Sequence, residues 1–165
     1  KSGISKAAAA DLPDGASVLA ALRVAITKMD EDEVPTENRH LFITPTLDGM
    51  IADLDTTKSR EILTRFATKT LVPQTRFYTA IDMLDGKTSG EEAGGYKKAT
   101  GAKNINFMVI HKPAVIQFNK HVVNKIITPE QNQTSDGWMF FYRSYGLADV
   151  YENKLSGIYL HAATT

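Results

Sequence analysis

Apolar residues near the start of the chain recur at spacings of three and four, which is the pattern of an amphipathic helix. The apolar positions of this stretch are Val18, Leu22, Ala25, Ile26 and Met29. We predict a helix over residues 17–33, capped by Asp14 or Ser17 and stopped by Pro35. The acidic residues at 30–33 oppose the helix dipole, so this end is expected to have a partner or to face water.

Prolines that follow a polar residue indicate further helix starts. The Thr-Pro pair at residues 44–45 places an N-cap residue before a proline in the first helical position, and residues 60–66 form another amphipathic stretch. The Lys-Pro pair at residues 112–113 predicts a helix that residues 114–118 continue.

Short runs of apolar and β-branched residues predict strands between these helices. They lie at residues 40–44, 70–72, 77–81, 105–111, 138–151 and 158–161. The run at 105–111 is almost entirely apolar, which is typical of a central strand buried on both faces. Helices and strands are interspersed, and the last strands are expected to be antiparallel. The predicted fold class is therefore α+β.

Two segments lack this patterning. Residues 85–103 are rich in Gly, Ser, Thr, Lys and Glu and exceed an ordinary connection, so we expect an exposed, mobile loop or a β-hairpin flap. Residues 1–11 are Ala-rich and polar and are expected to be frayed. The chain begins Lys-Ser-Gly, without a methionine or a signal peptide, which predicts a fragment or a product of proteolysis.

The formal net charge of the 165-residue chain is zero, because 19 Lys and Arg balance 19 Asp and Glu. Proteins that bind nucleic acid through its phosphates normally carry a basic surplus, so this class of function is disfavoured. The absence of cysteine excludes disulfides, thiolate zinc sites and a cysteine nucleophile. No apolar run approaches the roughly 20 residues that a membrane-spanning helix needs, and neutrality permits self-association.

Four histidines are the first candidates for chemistry. His111 and His121 are ten positions apart on either side of a predicted helix, without a carboxylate at metal-ligand spacing. His40 and His161 lie at strand ends, where a hydrogen-bonded structural role is expected. We therefore expect no metal site and no cofactor site.

Other motifs match catalytic sites only in part. Residues 94–98, Gly-Gly-Tyr-Lys-Lys, lack the spacing of a phosphate-binding loop and have no apolar strand directly before them. No nucleophile elbow surrounds the serines Ser89, Ser135, Ser144 and Ser156. The acidic residues at 91–92 and 30–33 lie on a loop and at a helix end, where carboxylates are normally solvated. We expect no catalytic residue and no enzyme activity.

Residues 138–143, Trp-Met-Phe-Phe-Tyr-Arg, concentrate aromatic side chains beside a cation. Such a stretch could stack on nucleic-acid bases. In a neutral protein it is more typical of a strand in the subunit's own core or of a contact between subunits. From the residues alone, the chain is an α+β domain with a flap and no recognisable active site.

Several segments, taken in order, resemble the major capsid proteins of tailed bacteriophages and prophages. Residues 28–35 are an acidic helix end followed by Val-Pro, and residues 38–45 run from an Arg through an apolar strand to Thr-Pro, as in that family. The other matching segments are residues 72–79 (VPQTRFYT), 105–111 with 113–115, 138–143 and 151–161. Together they extend from about Val18 to His161, nearly the whole chain.

The resemblance implies the Johnson fold of tailed-phage and herpesvirus shells. Such a subunit has an N-terminal arm, an extended hairpin called the E-loop, a peripheral domain with a long spine helix, and an axial domain. Residues 1–37 would contain the spine helix, residues 38–125 the axial domain with the flap near the capsomer axis, and residues 126–165 the strands that return to the peripheral domain. The chain has no room for the arm and the E-loop before the spine helix, so both are expected to be missing.

The function implied by the resemblance is that of a structural subunit, self-assembling into the hexamers and pentamers of an icosahedral phage head that encloses DNA. Its expected partners are copies of itself and scaffold, portal and head-completion proteins, with no membrane and no sequence-specific binding of the packaged DNA. The expected location is the virion, and the bacterial cytoplasm during assembly. The alternatives are an encapsulin-like nanocompartment shell, and a small α+β ligand-binding or enzymatic domain that uses His111 and His121.

Overall fold

A mixed sheet of five strands organises the larger part of the chain. The computed structural model describes residues 4–54 and 57–164. The strands of the described residues are β1 Ser5–Lys6, β2 Arg39–Ile43, β3 Thr68–Leu71, β4 Ile81–Leu84, β5 Gly95–Lys98, β6 Ile105–His111, β7 Val115–Ile127, β8 Met139–Val150 and β9 Ile158–Ala162. The five-stranded sheet has the order β1-β9-β6-β2-β3, in which β1–β9 and β2–β3 are parallel pairs.

The helices of the described residues are α1 Gly15–Glu31, α2 Pro45–Leu54 and α3 Thr57–Thr64. α1 confirms the first predicted helix, and its N-cap is Asp14, whose Oδ1 accepts the backbone N–H of Ser17 at 2.7 Å. The predicted start at Thr-Pro is also confirmed, because α2 begins at Pro45. Helices and sheets together confirm the α+β class.

The hydrophobic core lies between the helices and one face of the sheet. Leu41 pairs with Val109, and Ile43 pairs with Phe107, across β2 and β6, and all four side chains are fully buried. They pack with the predicted apolar face of α1, formed by Val18, Leu22, Ala25, Ile26 and Met29. β6 is the central strand, as predicted, but its opposite face is less covered, since Met108 is partly exposed.

One buried arginine connects the end of α1 to the sheet. Arg39, the first residue of β2, is 1% exposed, and its Nε donates to the Pro35 carbonyl at 2.9 Å while its Nη2 donates to the Val34 carbonyl. Its Nη1 lies 2.7 Å from one carboxylate oxygen of Asp30, and Arg65 lies 3.2 Å from the other oxygen. The acidic end of α1 therefore has the partner that its opposition to the helix dipole predicted.

The N-terminal segment is held at the edge of the sheet, so the prediction that residues 1–11 are frayed is wrong for the described part of this segment. β1 pairs with β9, and the N–H of Ala10 donates to the Ala162 carbonyl at 3.1 Å. The Asp11 carboxylate accepts two hydrogen bonds from Thr164. The first three residues lie outside the described residues. A polar, Ala-rich segment can pair in this way because strand pairing uses the backbone.

The helix predicted to follow the Lys-Pro pair at 112–113 is a strand. Lys112–Ala114 form a single 3-10 turn, and the chain then continues as β7 for 13 residues. Its β-branched residues favour an extended backbone, and pairing with β8 satisfies the N–H and C=O groups that face β8. The long strand predicted at 138–151 is confirmed as β8.

The strand predicted at residues 77–81 is also wrong. Gln74–Arg76 form a 3-10 turn, and β4 begins only at Ile81. β4 pairs with β5, so the flap predicted at residues 85–103 includes the second strand of an antiparallel hairpin, and the first strand precedes it. Asp85 closes its first turn by accepting the N–H of Thr88 at 2.8 Å, and this type of bond lowers the pKa of the Asp85 carboxyl.

The chain divides into two compact units. One unit is Lys1–Ala114 with Glu152–Thr165, which contains the five-stranded sheet, the helices and the flap. The other unit is Val115–Tyr151, which contains the β7–β8 hairpin. The division expected after residues 37 and 125 differs from this grouping and stays a prediction about the parts of a shell subunit.

Replacing Arg39 with methionine should destabilise the fold strongly. The substitution removes the donor from the Pro35 and Val34 carbonyls and one partner from Asp30. Hydrogen bonds to charged groups contribute about 1.5–3 kcal/mol each, so the free energy of unfolding in urea should fall by about 3 kcal/mol. The control Arg65→Met removes an exposed ion pair and should cost less than about 1 kcal/mol. Equal losses would contradict the role assigned to Arg39.

Replacing Gly15 with alanine should lower the stability of the fold, and replacing Gly49 with alanine should raise it. A Cβ at Gly15 would overlap the Met50 carbonyl oxygen and crowd Leu54, whereas a Cβ at Gly49 would meet nothing within 4 Å. Gly15→Ala should therefore destabilise by about 1–3 kcal/mol. Gly49→Ala, inside α2, should stabilise by roughly 0.5–1 kcal/mol through its lower backbone entropy. Thermal unfolding measures both signs, and a stabilised Gly15→Ala protein would disprove the packing of α1 on α2.

Candidate interaction surface

Two long antiparallel strands, β7 and β8, form a hairpin in the second unit. Their pairing runs from Val115 with Val150 at the base to Ile127 with Met139 near the tip. At a rise of about 3.4 Å per residue, the ribbon is roughly 40 Å long. A 3-10 turn at Pro129–Gln131 lies in the connection between the strands.

The hairpin exposes a large number of apolar side chains. They are Val115, Ile116, Phe118, Val122, Val123, Ile126, Trp138, Phe140, Phe141, Tyr142, Tyr145 and Leu147. The hydrophobic core formed by the described residues contains none of them. A two-stranded ribbon is only marginally stable alone in water, and contiguous exposed apolar surface marks interaction sites. The hairpin is therefore the candidate interaction surface.

This exposure bears on one interpretation of residues 138–143. The sequence leaves open that the aromatic stretch stacks on nucleic-acid bases, lies in the subunit's own core, or forms a contact between subunits. Trp138, Phe140, Phe141 and Tyr142 are all exposed, so the core interpretation is wrong for this chain.

Side chains of a strand point alternately to its two faces, and the charged residues at the regularly paired positions of β7 and β8 all lie on one face. We name it the charged face. Directly paired residues lie on the same side. On β8 this face holds Met139, Phe141, Arg143, Tyr145, Leu147 and Asp149. Their partners on β7 are Ile127, Lys125, Val123, His121, Phe118 and Ile116.

The opposite face, named here the uncharged face, contains no Asp, Glu, Lys, Arg or His at its regularly alternating positions. On β8 it holds Phe140, Tyr142, Ser144, Gly146, Ala148 and Val150, and on β7 Ile126, Asn124, Val122, Asn119, Gln117 and Val115. Lys120 lies at the register shift between Asn119 and His121, where the regular alternation is interrupted. The two faces of one ribbon therefore offer different chemistry.

A groove on the charged face combines cations with aromatic rings. Lys125 pairs with Phe141 and Val123 pairs with Arg143, whose Nη2 lies 3.3 Å from the His121 Nε2. The groove has a volume of about 390 Å³ and is open to solvent along the ribbon. An open amphipathic groove suits contact with another macromolecule better than it suits an enclosed small-molecule site.

His161 is hydrogen-bonded within the five-stranded sheet. The Asn106 side-chain amide donates to the Ala10 carbonyl at 3.0 Å and lies 3.1 Å from the His161 Nδ1. Because an amide NH2 group only donates, Nδ1 accepts, and the ring is neutral with its proton on Nε2. Burial lowers the pKa of His161, which agrees with a neutral ring. The ring also stacks on Phe107, with centroids 5.0 Å apart.

His40 and His111 lie at the same end of the β2–β6 pair. The His40 Nδ1 is 2.7 Å from the Thr68 hydroxyl on β3. Burial lowers the pKa of His111, and the positive charges of Arg39 and Lys154 lower it further. Both histidines are held by the sheet, as the structural interpretation expects.

A cleft of about 520 Å³ lies beside His111. Its walls include the end of α1 and the turn before β9, with Asp32, Glu33, Asn153, Lys154, Ser156 and Gly157. Asp32 is already bound by Lys28 at 2.7 Å, and accepts a hydrogen bond from Ser5 at 3.3 Å. Within residues 4–54 and 57–164, no group of three His, Cys, Asp or Glu side chains could hold a metal ion. His111 and His121 belong to different units.

The flap lysines within residues 94–98 contact protein groups. The Lys97 Nζ lies 3.1 Å from the Glu91 carboxylate, and the Lys98 Nζ lies 5.6 Å from the centroid of the Tyr78 ring. Glu92 accepts a backbone N–H within the flap at 2.9 Å. The paired acids of the flap thus stabilise its turns.

The candidate serines occupy four different local structures. Ser89 lies in the flap, Ser135 accepts a hydrogen bond from Asn132 at 2.9 Å in the hairpin connection, Ser144 lies on the uncharged face, and Ser156 lines the cleft beside His111.

Comparisons with known proteins show a likeness in fold and none in sequence. No known protein family matches the chain, and no curated protein matches it in sequence. In fold it is similar to a solved chain from Mycobacterium phage Che8, with a TM-score of 0.55 and 10% sequence identity. The similarity covers 96% of this chain and 53% of that chain, so this chain spans about half of the phage chain's length.

None of the described helices is long and apolar enough to cross a bilayer.

The free energy of unfolding should fall as the pH is lowered from 7 to 5. Burial lowers the pKa of His161 and His111 in the folded protein, so below the unfolded value of about 6.5 the unfolded chain binds more protons. Each histidine then removes up to about 1.4 kcal/mol per pH unit until its folded pKa is reached. Urea titrations at several pH values measure this slope. His161→Gln keeps an acceptor for Asn106 and should flatten it; an unchanged slope would contradict the assignment.

Proposed function

We propose that this chain is a structural subunit of the capsid of a tailed bacteriophage, which self-assembles into the hexamers and pentamers of an icosahedral head. The observation that carries the proposal is the β7–β8 hairpin, a long ribbon with exposed apolar side chains on both faces. Such a ribbon is stabilised when other surfaces cover it. A shell subunit makes large contacts with identical neighbours on several sides, and these can supply the cover.

The segments that resemble phage capsid proteins contact one another, which supports the Johnson fold. The helix end and Val-Pro of residues 28–35 bind the side chain of Arg39, which belongs to the matching segment 38–45. Two further segments, 105–111 and 151–161, supply the paired strands β6 and β9. The likeness in fold to the chain from Mycobacterium phage Che8 supports the same proposal.

As a shell subunit, the protein would act without catalysis and without a cofactor. Its partners would be copies of itself and scaffold, portal and head-completion proteins. The balance of 19 basic and 19 acidic residues fits a shell that encloses DNA without binding a particular sequence. The protein would lie in the bacterial cytoplasm during assembly and in the virion afterwards.

The product of the complete reading frame that encodes this chain should assemble by itself. Sedimentation velocity should show large species that increase with concentration, and negative-stain electron microscopy should show rings, tubes or closed shells. Because the contacts of the hairpin are largely apolar, the assemblies should persist at high salt.

A particle of monomer mass at every concentration, with and without crowding agents, would refute the capsid proposal. Closed shells that enclose an enzyme when purified from their native cells would favour the nanocompartment alternative.

A further inference from the structure

The two faces of the β7–β8 hairpin differ in how readily a protein surface can cover them. On the charged face, Lys125 and Arg143 would lose water on burial, which is costly for a charge without a new partner. The uncharged face has no charged side chain at its alternating positions. It is therefore the face suited to close contact with another apolar surface.

The exposed side chains of the uncharged face form an apolar strip near the tip of the ribbon. Phe140 is 73% exposed, Tyr142 is 70% exposed and Ile126 is 56% exposed. The Trp138 ring stacks on the Phe140 ring, with centroids 6.4 Å apart and an interplanar angle of 19°. Since these two rings already order each other, they lose less conformational freedom when a partner covers them.

The area of the strip is suited to a second copy of the same strip. An aromatic side chain buries about 150–250 Å², so Trp138, Phe140 and Tyr142 at their observed exposures offer roughly 400 Å². With the aliphatic neighbours Val122 and Ile126, two stacked copies would bury roughly 1,000 Å², which is near the lower limit of a specific interface.

The polar side chains at the centre of the strip are self-complementary. Asn124 pairs with Tyr142 between the pairs formed by Val122 with Ser144 and by Ile126 with Phe140. Amide, phenol and hydroxyl groups each donate and accept hydrogen bonds. When two identical faces meet across a twofold axis, these groups can form hydrogen bonds with one another, and no charged group is buried.

We propose that two copies of this chain stack through the uncharged faces of their hairpins. The inference rests on the proposed capsid function and names the surface through which identical subunits first meet. Sheets that stack face to face lie about 10 Å apart, so the interdigitated rings of Trp138, Phe140 and Tyr142 would fill the space between the ribbons. The charged faces, with Lys125 and Arg143, stay in water.

Trp138 is the single tryptophan of the sequence, so its fluorescence reports directly on the uncharged face. When the 165-residue chain is concentrated, its emission should shift to shorter wavelength and acrylamide should quench it less. Both changes should follow the dimer fraction measured by sedimentation equilibrium. A dimer in which Trp138 is as accessible as in the monomer would overturn the proposal.

A matched pair of double variants on β8 separates the two faces. Phe140→Ser with Tyr142→Ser removes one Phe and one Tyr from the uncharged face, and Phe141→Ser with Tyr145→Ser removes the same side-chain types from the charged face. The first variant should weaken dimerisation about a hundredfold or more, because central aromatic anchors dominate such interfaces. The second should change it by less than about threefold. Equal urea midpoints show that both variants fold, as expected from their exposed positions.

The outcomes separate this proposal from the capsid function. Dimers that persist in the uncharged-face variant and disappear in the charged-face variant would overturn the stacking, while shells formed by the complete product would leave the capsid proposal standing. Stacked dimers from a complete product that never forms shells would support the stacking and refute the capsid proposal. A chain that stays monomeric and binds phosphatidylcholine vesicles through Phe140 and Tyr142 would show that lipid covers this face, and would also overturn the stacking.

Discussion

The arrangement of α1 against the sheet depends on the buried guanidinium of Arg39. The acidic residues at the end of α1 oppose its dipole, and the turn that follows the helix has further carbonyl groups. Burying such acceptors against a strand is costly unless they receive donors. Arg39 donates to the Val34 and Pro35 carbonyls of this turn and to Asp30 at once, and it can do so because a guanidinium has several donors in a fixed plane. Since Arg39 also begins β2, the same contact aligns the strand with the helix.

The hairpin presents a different situation, because its two strands are paired with each other and its side chains are not covered. The ladder between β7 and β8 is nearly continuous, so the N–H and C=O groups between the strands have partners. In the five-stranded sheet, the apolar residues of β6 are covered by helices on one face. The aromatic residues of β8 have a comparable pattern, but the described chain provides no layer for them. These exposed side chains are the surface that the proposed contact between subunits would cover.

Elements determined by local signals were predictable from the sequence, and elements determined by distant pairing were not. The cap at Asp14, the apolar face of α1 and the runs that form β6 and β8 each have a local pattern. The sequence predicts a helix at the start of β7 because a Lys-Pro pair is a local start signal, while the observed strand depends on pairing with β8. The aromatic stretch pointed to the candidate surface, but the separation of charge between its faces required the register. Similarly, the hydrogen bond that fixes the tautomer of the His161 ring comes from Asn106, which is 55 positions away in the sequence.

The hairpin is an insertion in the chain, and its two ends lie next to each other in space. The chain leaves the sheet-containing unit after Ala114 and re-enters it at Glu152, while Val115 and Val150 are paired neighbours at the base of the ribbon. Recombination can therefore lengthen, shorten or replace the ribbon without altering the residues around Arg39 or the core. Selection on the ribbon is separated from selection on folding. Such a molecule can diverge quickly in surface while its architecture persists, in keeping with a shared fold at 10% sequence identity.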